Sequence, residues 1–388
     1  ENNGTGNKMT LSVNPFFISQ YESPHYFCDR AVETKRLAEH IRNGRNVVLA
    51  APRRLGKTGL IQHLFHQPEI IGTYYTVYCD VLPTESLQMF VFRLGAAVLE
   101  QIKEKRILRK LTQAVKSLRF TVSVDPNTGE PGFGLNLGAV DHPSQSLSEI
   151  FAYLNQLDRP VILAIDEFQQ VAKYKDKTVE AELRSLIQFA PNVHLIYSGS
   201  EQHLLVNLFS NADRPFYMSA VYEGLGVIEK AVYRQFAQRM FSEGERTLPD
   251  DVFDRIYDRV EGVTYFVQYL MNFLYARTDK GSVAAGDTEI VLKDAVASNA
   301  LAFSGMAEHL SANQLAVLLA VAAEKNAAAP TSADFVQRYS LRSASVVQSA
   351  LRSLVEQSLV ERTKKGYRVS DRLFEVWLEK NYSSSCRP

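Results

Sequence analysis

The sequence predicts an α/β fold built on a parallel sheet, followed by a helical lid and a winged-helix module. Three observations carry this. First, an apolar run, Val47 to Ala51, reads as a buried strand and leads through Pro52-Arg53-Arg54-Leu55 into Gly56-Lys57-Thr58, after which Leu60, Ile61, Leu64 and Phe65 recur at helical spacing. Second, Val161-Ile162-Leu163-Ala164-Ile165 is a second apolar run that ends on two carboxylates, Asp166 and Glu167. A strand buried on both faces reads this way and delivers its last residues to the C-terminal edge of a parallel sheet. Third, helical patterns at 314–323, 331–338 and 343–357 precede two short strand patterns, Leu359–Arg362 and Tyr367–Ser370, separated by Lys364-Lys365-Gly366.

Strand, loop and helix in that order form the setting of a phosphate-binding loop. Backbone N–H groups of Ala51 to Gly59 and the helix N-terminus would converge on an anion. Lys57 would reach the β- and γ-phosphates and Thr58 would hold Mg²⁺. The usual pattern begins with glycine, and Ala51 stands there instead, where a strained φ would carry a cost. In the second motif, Asp166 would bind Mg²⁺ through water and Glu167 would take a proton from the attacking water, which makes the site hydrolytic.

The bulk properties set limits. A chain of 388 residues is long enough for two or three domains. The formal charge is zero, with 43 basic and 43 acidic side chains, so no global field draws it to nucleic acid or an anionic membrane. Three scattered cysteines, Cys28, Cys79 and Cys386, argue against a disulfide frame or a zinc site and for a reducing, cytoplasmic setting. No apolar run approaches the roughly 20 residues of a membrane helix. Residues 1–13 read as disordered and tag-like, with no signal peptide.

Along the chain, residues 14–228 read as the nucleotide domain. A helix carrying Val32, Leu37 and Ile41 on one face precedes the loop strand, and Arg30 and Glu33 at its start are candidates for the base side of a nucleotide or for a helix-start ion pair. Tyr74 to Cys79 is a strand, and Ser86 to Lys116 a helix that turns basic toward its end. Alternating residues around Asp125–Gly129 predict a hairpin inserted at about 120–142, a partner surface or a cap on the sheet. Val193–Tyr197 is a strand whose tip, Ser198-Gly199-Ser200, either brings the Ser198 or Ser200 hydroxyl to orient the lytic water or is simply a tight turn. Arg214, before a short strand at Leu225–Ile228, is the best candidate for a cation to offset transition-state charge, in cis or across a subunit boundary, the other reading being an ordinary structural arginine. Residues 229–288 read as the lid, with Phe236, Met240, Phe241, Tyr265, Phe266, Tyr269 and Leu270 in its core, and 289–388 as the winged-helix domain.

Residues 331–388 carry ten basic and six acidic side chains, with Arg362, Lys364, Lys365 and Arg368 in the wing. The recognition-helix position, Ser343 to Glu356, holds one basic residue, Arg352, so any duplex DNA contact would be modest; a protein partner is the other use of such a module. His63 and His66 lack a third ligand nearby and read as surface histidines.

The motif set resembles bacterial and archaeal ATPases of the AAA+ class, on the branch bordering the STAND signal-transduction ATPases. It is most similar to AAA-ATPase-like proteins abundant in Bacteroides-type bacteria. Asn14-Pro15-Phe16, Phe27-Cys28-Asp29-Arg30, Arg53 to Thr58, Ala164 to Gln169, Ser198-Gly199-Ser200 and Arg214-Pro215-Phe216-Tyr217 carry the likeness across nearly the whole chain. It implies the additional-strand P-loop sheet of order 5-1-4-3-2, a helical lid, and ATP rather than GTP. Phe27 and Arg30, ahead of the loop strand, are expected among the nucleotide-binding residues, and a homo-oligomer is one of the partners to expect. Two departures stand out: Asp29-Arg30-Ala31-Val32-Glu33 lacks the Gly and one Glu of the STAND Gly-Arg-Glu-x-Glu motif, and Gly262-Val263-Thr264 stands where the lid often has Gly-x-Pro. The expected activity is an ATP-driven switch that relays nucleotide state through the winged helix, the rival being an ATP-controlled DNA-binding regulator akin to origin-recognition ATPases.

Overall fold

Short β-branched and apolar runs pair into one parallel sheet. In the computed structural model, which describes residues 14–102, 115, 117–124 and 131–382, the chain divides into two compact units. One spans Ser19 to Ile228; the other joins the N-terminal segment through Ile18 to the chain from Glu229 onward.

In the first unit, α1 (Ala31–Arg42) leads to β1 (Val47–Ala50), α2 (Lys57–Phe65), β2 (Tyr75–Asp80) and α3 (Leu87–Gln101). The hairpin β3 (Leu118–Val124) and β4 (Pro131–Val140) follows, and then α4 (Pro143–Asn155), β5 (Val161–Asp166) and a short 3-10 helix, Phe168–Lys173. The unit ends with α5 (Val179–Gln188), β6 (Val193–Gly199), α6 (Gln202–Ser210) and β7 (Val221–Gly224). The sheet order is β2-β5-β6-β1-β7, parallel throughout. Numbering only its own strands, that is the 5-1-4-3-2 order implied by the resemblance. All six residues of β5 are buried, as a central parallel strand requires. Below the C-terminal edge, Phe168, Tyr197, Phe209 and Phe216 form a ring cluster, with Phe168 and Tyr197 at 4.7 Å between centroids.

Several expected boundaries move. The fifth sheet strand is Val221–Gly224 and not Leu225–Ile228, because it is Val221 to Gly224 that pair in register with Val47 to Ala50. Val32 is 59% exposed, and the buried face of α1 is instead Thr34, Leu37, Ala38 and Ile41. The helix expected over Ser86 to Lys116 ends at Gln101, where Ile102 leaves helical dihedrals at ψ 89°; most of its basic stretch (103–114 and 116), like the hairpin turn at 125–130, lies outside the described residues. β3 and β4 pair antiparallel as expected, and Gln88 of α3 donates to the Val140 carbonyl at the foot of β4.

In the second unit, α7 (Lys230–Glu243), α8 (Asp250–Arg259) and α9 (Thr264–Arg277) form the helical bundle, with β8 (Arg246–Thr247) and β9 (Gly281–Ser282) pairing parallel beside it. The expected linker at 278–288 therefore holds β9. Tyr265 and Tyr269, expected in the core, are only half-buried and form a stacked ladder along α9. Phe16 is fully buried against Phe236, Phe241 and Tyr275, so residues 14–18 pack with this unit, although the sequence grouped them with the nucleotide domain. Asn14 and Asn272 complete the join by exchanging side-chain amide bonds: Asn14 donates to the Asn272 carbonyl and Asn272 to the Phe16 carbonyl.

After α10 (Asp287–Ser298) and α11 (Ala300–Glu308) come α12 (Ala312–Glu324), α13 (Ala333–Arg338), α14 (Ala344–Glu356), the wing β10 (Val360–Thr363) and β11 (Gly366–Val369), and α15 (Arg372–Asn381). This is the expected helix-helix-helix-wing order. A bridge between Ala327 and Tyr367 adds a third short extended segment to the wing, and Trp377 is buried in the core of this part.

Candidate active site

The loop between β1 and α2 turns on two left-handed residues, Arg54 (φ 69°) and Gly56 (φ 89°). The strain expected at Ala51 is absent: its φ is not positive, and a small buried side chain suffices there. Leu60 N–H makes the first helical bond, to the Gly56 carbonyl, so the N–H groups of Lys57, Thr58 and Gly59 precede the α2 ladder. Lys57 is 7% exposed and reaches back across the loop to the carbonyls of Ala51 (2.8 Å) and Pro52 (3.0 Å). Burial lowers its proton affinity, while the charges of Asp166 and Glu167 raise it. Leu55 is buried beneath the loop, and Arg53 and Arg54 lie on its outer side.

Parallel strand ends carry the loop and the acids to one edge of the sheet. Thr58 donates to Asp166 Oδ2 at 3.0 Å, bringing together two motifs 108 residues apart in sequence. Tyr78 of β2 donates to the same oxygen, while Ser198, at the tip of β6, and the Glu167 N–H donate to Oδ1. Burial first, and then the Asp166 charge, push the Tyr78 hydroxyl well above the usual tyrosine range. Glu167 is left-handed (φ 56°), and its Oε2 accepts from Gln169 Nε2 (2.5 Å), Ser200 Oγ (2.8 Å) and Ser200 N–H (3.2 Å). Arg53 Nε in turn donates to Ser200 Oγ at 3.1 Å, which connects the loop to the second acid.

This donor set suits Mg²⁺. A threonine hydroxyl beside one carboxylate supplies hard oxygen ligands, and Mg²⁺ prefers one or two of these with water and phosphate oxygens completing its octahedron. Among the described residues no cluster of three or more His, Cys, Asp or Glu forms a metal cage.

Arg30 and Phe27 flank the loop. Arg30, left-handed (φ 64°) and 4% exposed, donates to Glu33 (2.9 Å), to the Leu55 carbonyl (3.3 Å) and to the Gly226 carbonyl (2.6 Å). It thus makes the helix-start ion pair and also braces the loop against the segment after β7. Phe27 stacks on His63 at 4.2 Å and lies against the first turn of α2, where a Cβ at Gly59 would come within 3.2 Å of its ring. His63 is not a surface histidine: it is half-buried and shares a hydrogen bond with Tyr21.

Arg214 goes elsewhere. It pairs with the buried carboxyl of Glu180 on α5 at 2.6 Å and makes no hydrogen bond or ion pair with Lys57, Asp166 or Glu167. The sequence reading missed Tyr78 and Gln169. Tyr78 was legible in principle, since it shares a strand face with Asp80 at the same sheet edge, but nothing in the sequence said which strand would lie beside β5.

Residues 27–270 match the family model of an ATPase domain predominantly from Archaea, and residues 301–380 that of a probable winged helix domain. Among solved structures, a Walker-type ATPase of Pyrococcus abyssi is similar with a TM-score of 0.67 at 17% identity, covering 94% of this chain and 99% of that one. The ADP form of the Aeropyrum pernix ORC2 protein gives 0.55 at 12% identity, covering 96% and 98%. The Aeropyrum pernix ORC1 protein in complex with DNA gives 0.50 at 16% identity, covering 92% and 94%. At these identities the likeness shows the fold. No curated protein matches the chain.

Proposed function

Since this chain belongs to the family of ATPase domains found predominantly in Archaea and carries a winged helix after it, we propose that it is a Mg²⁺-dependent, ATP-hydrolysing molecular switch that relays its nucleotide state through the winged helix. The observation that carries this is the 3.0 Å contact between Thr58 and Asp166, with Lys57 and Glu167 beside it. The loop from Ala51 to Gly59 would wrap the phosphates with its N–H groups, and Lys57 would leave the loop carbonyls for phosphate oxygens. Thr58 and Asp166 would hold Mg²⁺, which supplies charge neutralisation on the β- and γ-phosphates. Phe27 and Arg30 border the nucleotide side of α2.

Glu167 is the proton acceptor for the attacking water, and Ser198 keeps Asp166 oriented. Ser200, the other hydroxyl at that tip, sits on Glu167. Slow turnover of the single chain is expected, because Arg214 is engaged with Glu180 and an arginine offsetting transition-state charge would be completed by assembly. Replacing Glu167 by Gln should leave ATP binding intact and lower turnover by about 10²–10⁴-fold, the usual worth of a general base. Equal hydrolysis by the variant removes Glu167 from the mechanism.

A second reading, an ATP-controlled DNA-binding regulator, draws on the exposed wing cations Arg362, Lys364 and Lys365 and on the DNA-bound relative of similar fold. Labelled duplex titrated at two salt concentrations, with and without ATP, separates the readings. Salt-sensitive binding that is lost on neutralising Lys364 and Lys365 favours the regulator; binding indifferent to both excludes it.

A further inference from the structure

We propose that Tyr78 is a positioning residue for the metal site: its hydroxyl holds the Asp166 carboxylate in the orientation that offers Oδ2 to Thr58, and so sets how tightly Mg²⁺ binds beside the nucleotide. This rests on the function proposed above and deepens it.

The Asp166 carboxylate is saturated. Oδ2 accepts from Tyr78 and Thr58, and Oδ1 accepts from Ser198 and the Glu167 N–H. Two ionised carboxylate oxygens offer about four acceptor positions; donors take all of them here, so the group is held from both sides, and Mg²⁺ would take up one of these positions in place of its donor. On the Oδ1 side one donor is backbone and one is a fully buried side chain. On the Oδ2 side, Thr58 would itself help hold the metal, which leaves Tyr78 as the donor whose part is to orient the carboxylate.

The sheet aims Tyr78 at that oxygen. In the parallel register Tyr78 lies opposite Ala164, and residues 164 and 166 share a strand face. The phenol therefore reaches diagonally across the β2–β5 pair to Asp166. Among the described residues β2 is an edge strand, whose outward backbone groups meet no further strand. At Tyr78 both are taken by one side chain: Gln101, the last residue of α3, accepts from the Tyr78 N–H and donates to the Tyr78 carbonyl, each at 2.8 Å. The base of the ring is thus pinned by the same two bonds a further strand would make. Filling the space alone would need only a phenylalanine, whereas the hydroxyl of the half-buried Tyr78 has Asp166 as its partner.

The test is Tyr78→Phe, read by titrating a fluorescent, non-hydrolysable ATP analogue in EDTA and then across a Mg²⁺ series. Partners that orient metal ligands typically contribute 10–100-fold in metal affinity. The Mg²⁺ concentration for half-maximal enhancement of binding is therefore expected to rise by about 10-fold or more, with affinity in EDTA unchanged. Gln101→Ala should shift the Mg²⁺ requirement in the same direction while leaving the phenol in place. A Tyr78→Phe protein with the wild-type Mg²⁺ requirement, or a lower one, overturns the proposal, as does an equal loss of affinity in EDTA and in Mg²⁺, which marks a structural role. Wild-type protein that binds no analogue under either condition overturns the proposed function and this inference with it.

Discussion

At the scale of single residues, the two acids are handled in opposite ways. Asp166 accepts four hydrogen bonds, two on each oxygen, whereas Glu167 is held by Ser200 and Gln169 near an exposed loop arginine. In the function proposed above, the first of these carboxylates would hold the metal and the second would take the proton. Gly199 sits between these demands: a Cβ there would lie 2.0 Å from Gln169 Oε1, and Gln169 is fully buried. Gly199→Ala is therefore expected to push the Gln169 amide off Glu167. Misplacing a reacting group by about 1 Å can cost 10²-fold, so kcat should fall by up to about that factor while nucleotide affinity, set by the loop, changes little. Steady-state kinetics with a parallel binding titration checks the split; an unchanged kcat means that Gln169 does not position Glu167. Arg214 shows the limit of reading residues singly. Its position after β6 suggested a transition-state cation, but a buried carboxyl needs a counter-charge, and Glu180 claims it.

At the scale of elements, patterns that fill one face were legible, and edges were not. β5 is apolar up to Asp166 because both of its faces are covered, so its place inside the sheet followed from composition. β7 is an edge strand of alternating exposure, and its boundary fell four residues earlier than the apolar run suggested. Register with β1 decided it, and register is a property of two strands. The wing behaves likewise. Its sequence offered four cations, yet Arg368 turns inward to pair with Glu261 and lies 3.8 Å from Glu375, leaving Arg362, Lys364 and Lys365 outside. The duplex titration above is accordingly a test of three side chains, and phosphate contacts of that number give only a shallow salt dependence.

At the scale of the whole molecule, the chain folds as two units whose membership is not collinear with the sequence. Phe16 belongs with helices more than 200 residues later because an aromatic pocket of Phe236, Phe241 and Tyr275 takes it. Removing a buried ring typically costs about 3–5 kcal/mol. Phe16→Ala should therefore destabilise the unit that begins at Glu229 and spare the parallel sheet. Native-state hydrogen exchange should show protection lost in α7 and α9 and kept in β1, β5 and β6. Loss spread evenly over both groups would show that the N-terminal segment does not belong to the second unit alone.

The sequence by itself determined the chemistry of the loop, the pair of acids, the parallel sheet and the helix-helix-helix-wing order. Each is written in a contiguous stretch whose spacing follows from a 3.6- or 2-residue period or from the geometry of one turn. Only the tertiary structure decided who attends those groups: Tyr78 and Gln101 behind Asp166, Gln169 and Ser200 behind Glu167, Glu180 in front of Arg214, and Phe16 away from the sheet it precedes. These are pairings between segments distant along the chain, and a hydrogen bond or an aromatic contact leaves no period in the sequence of either partner.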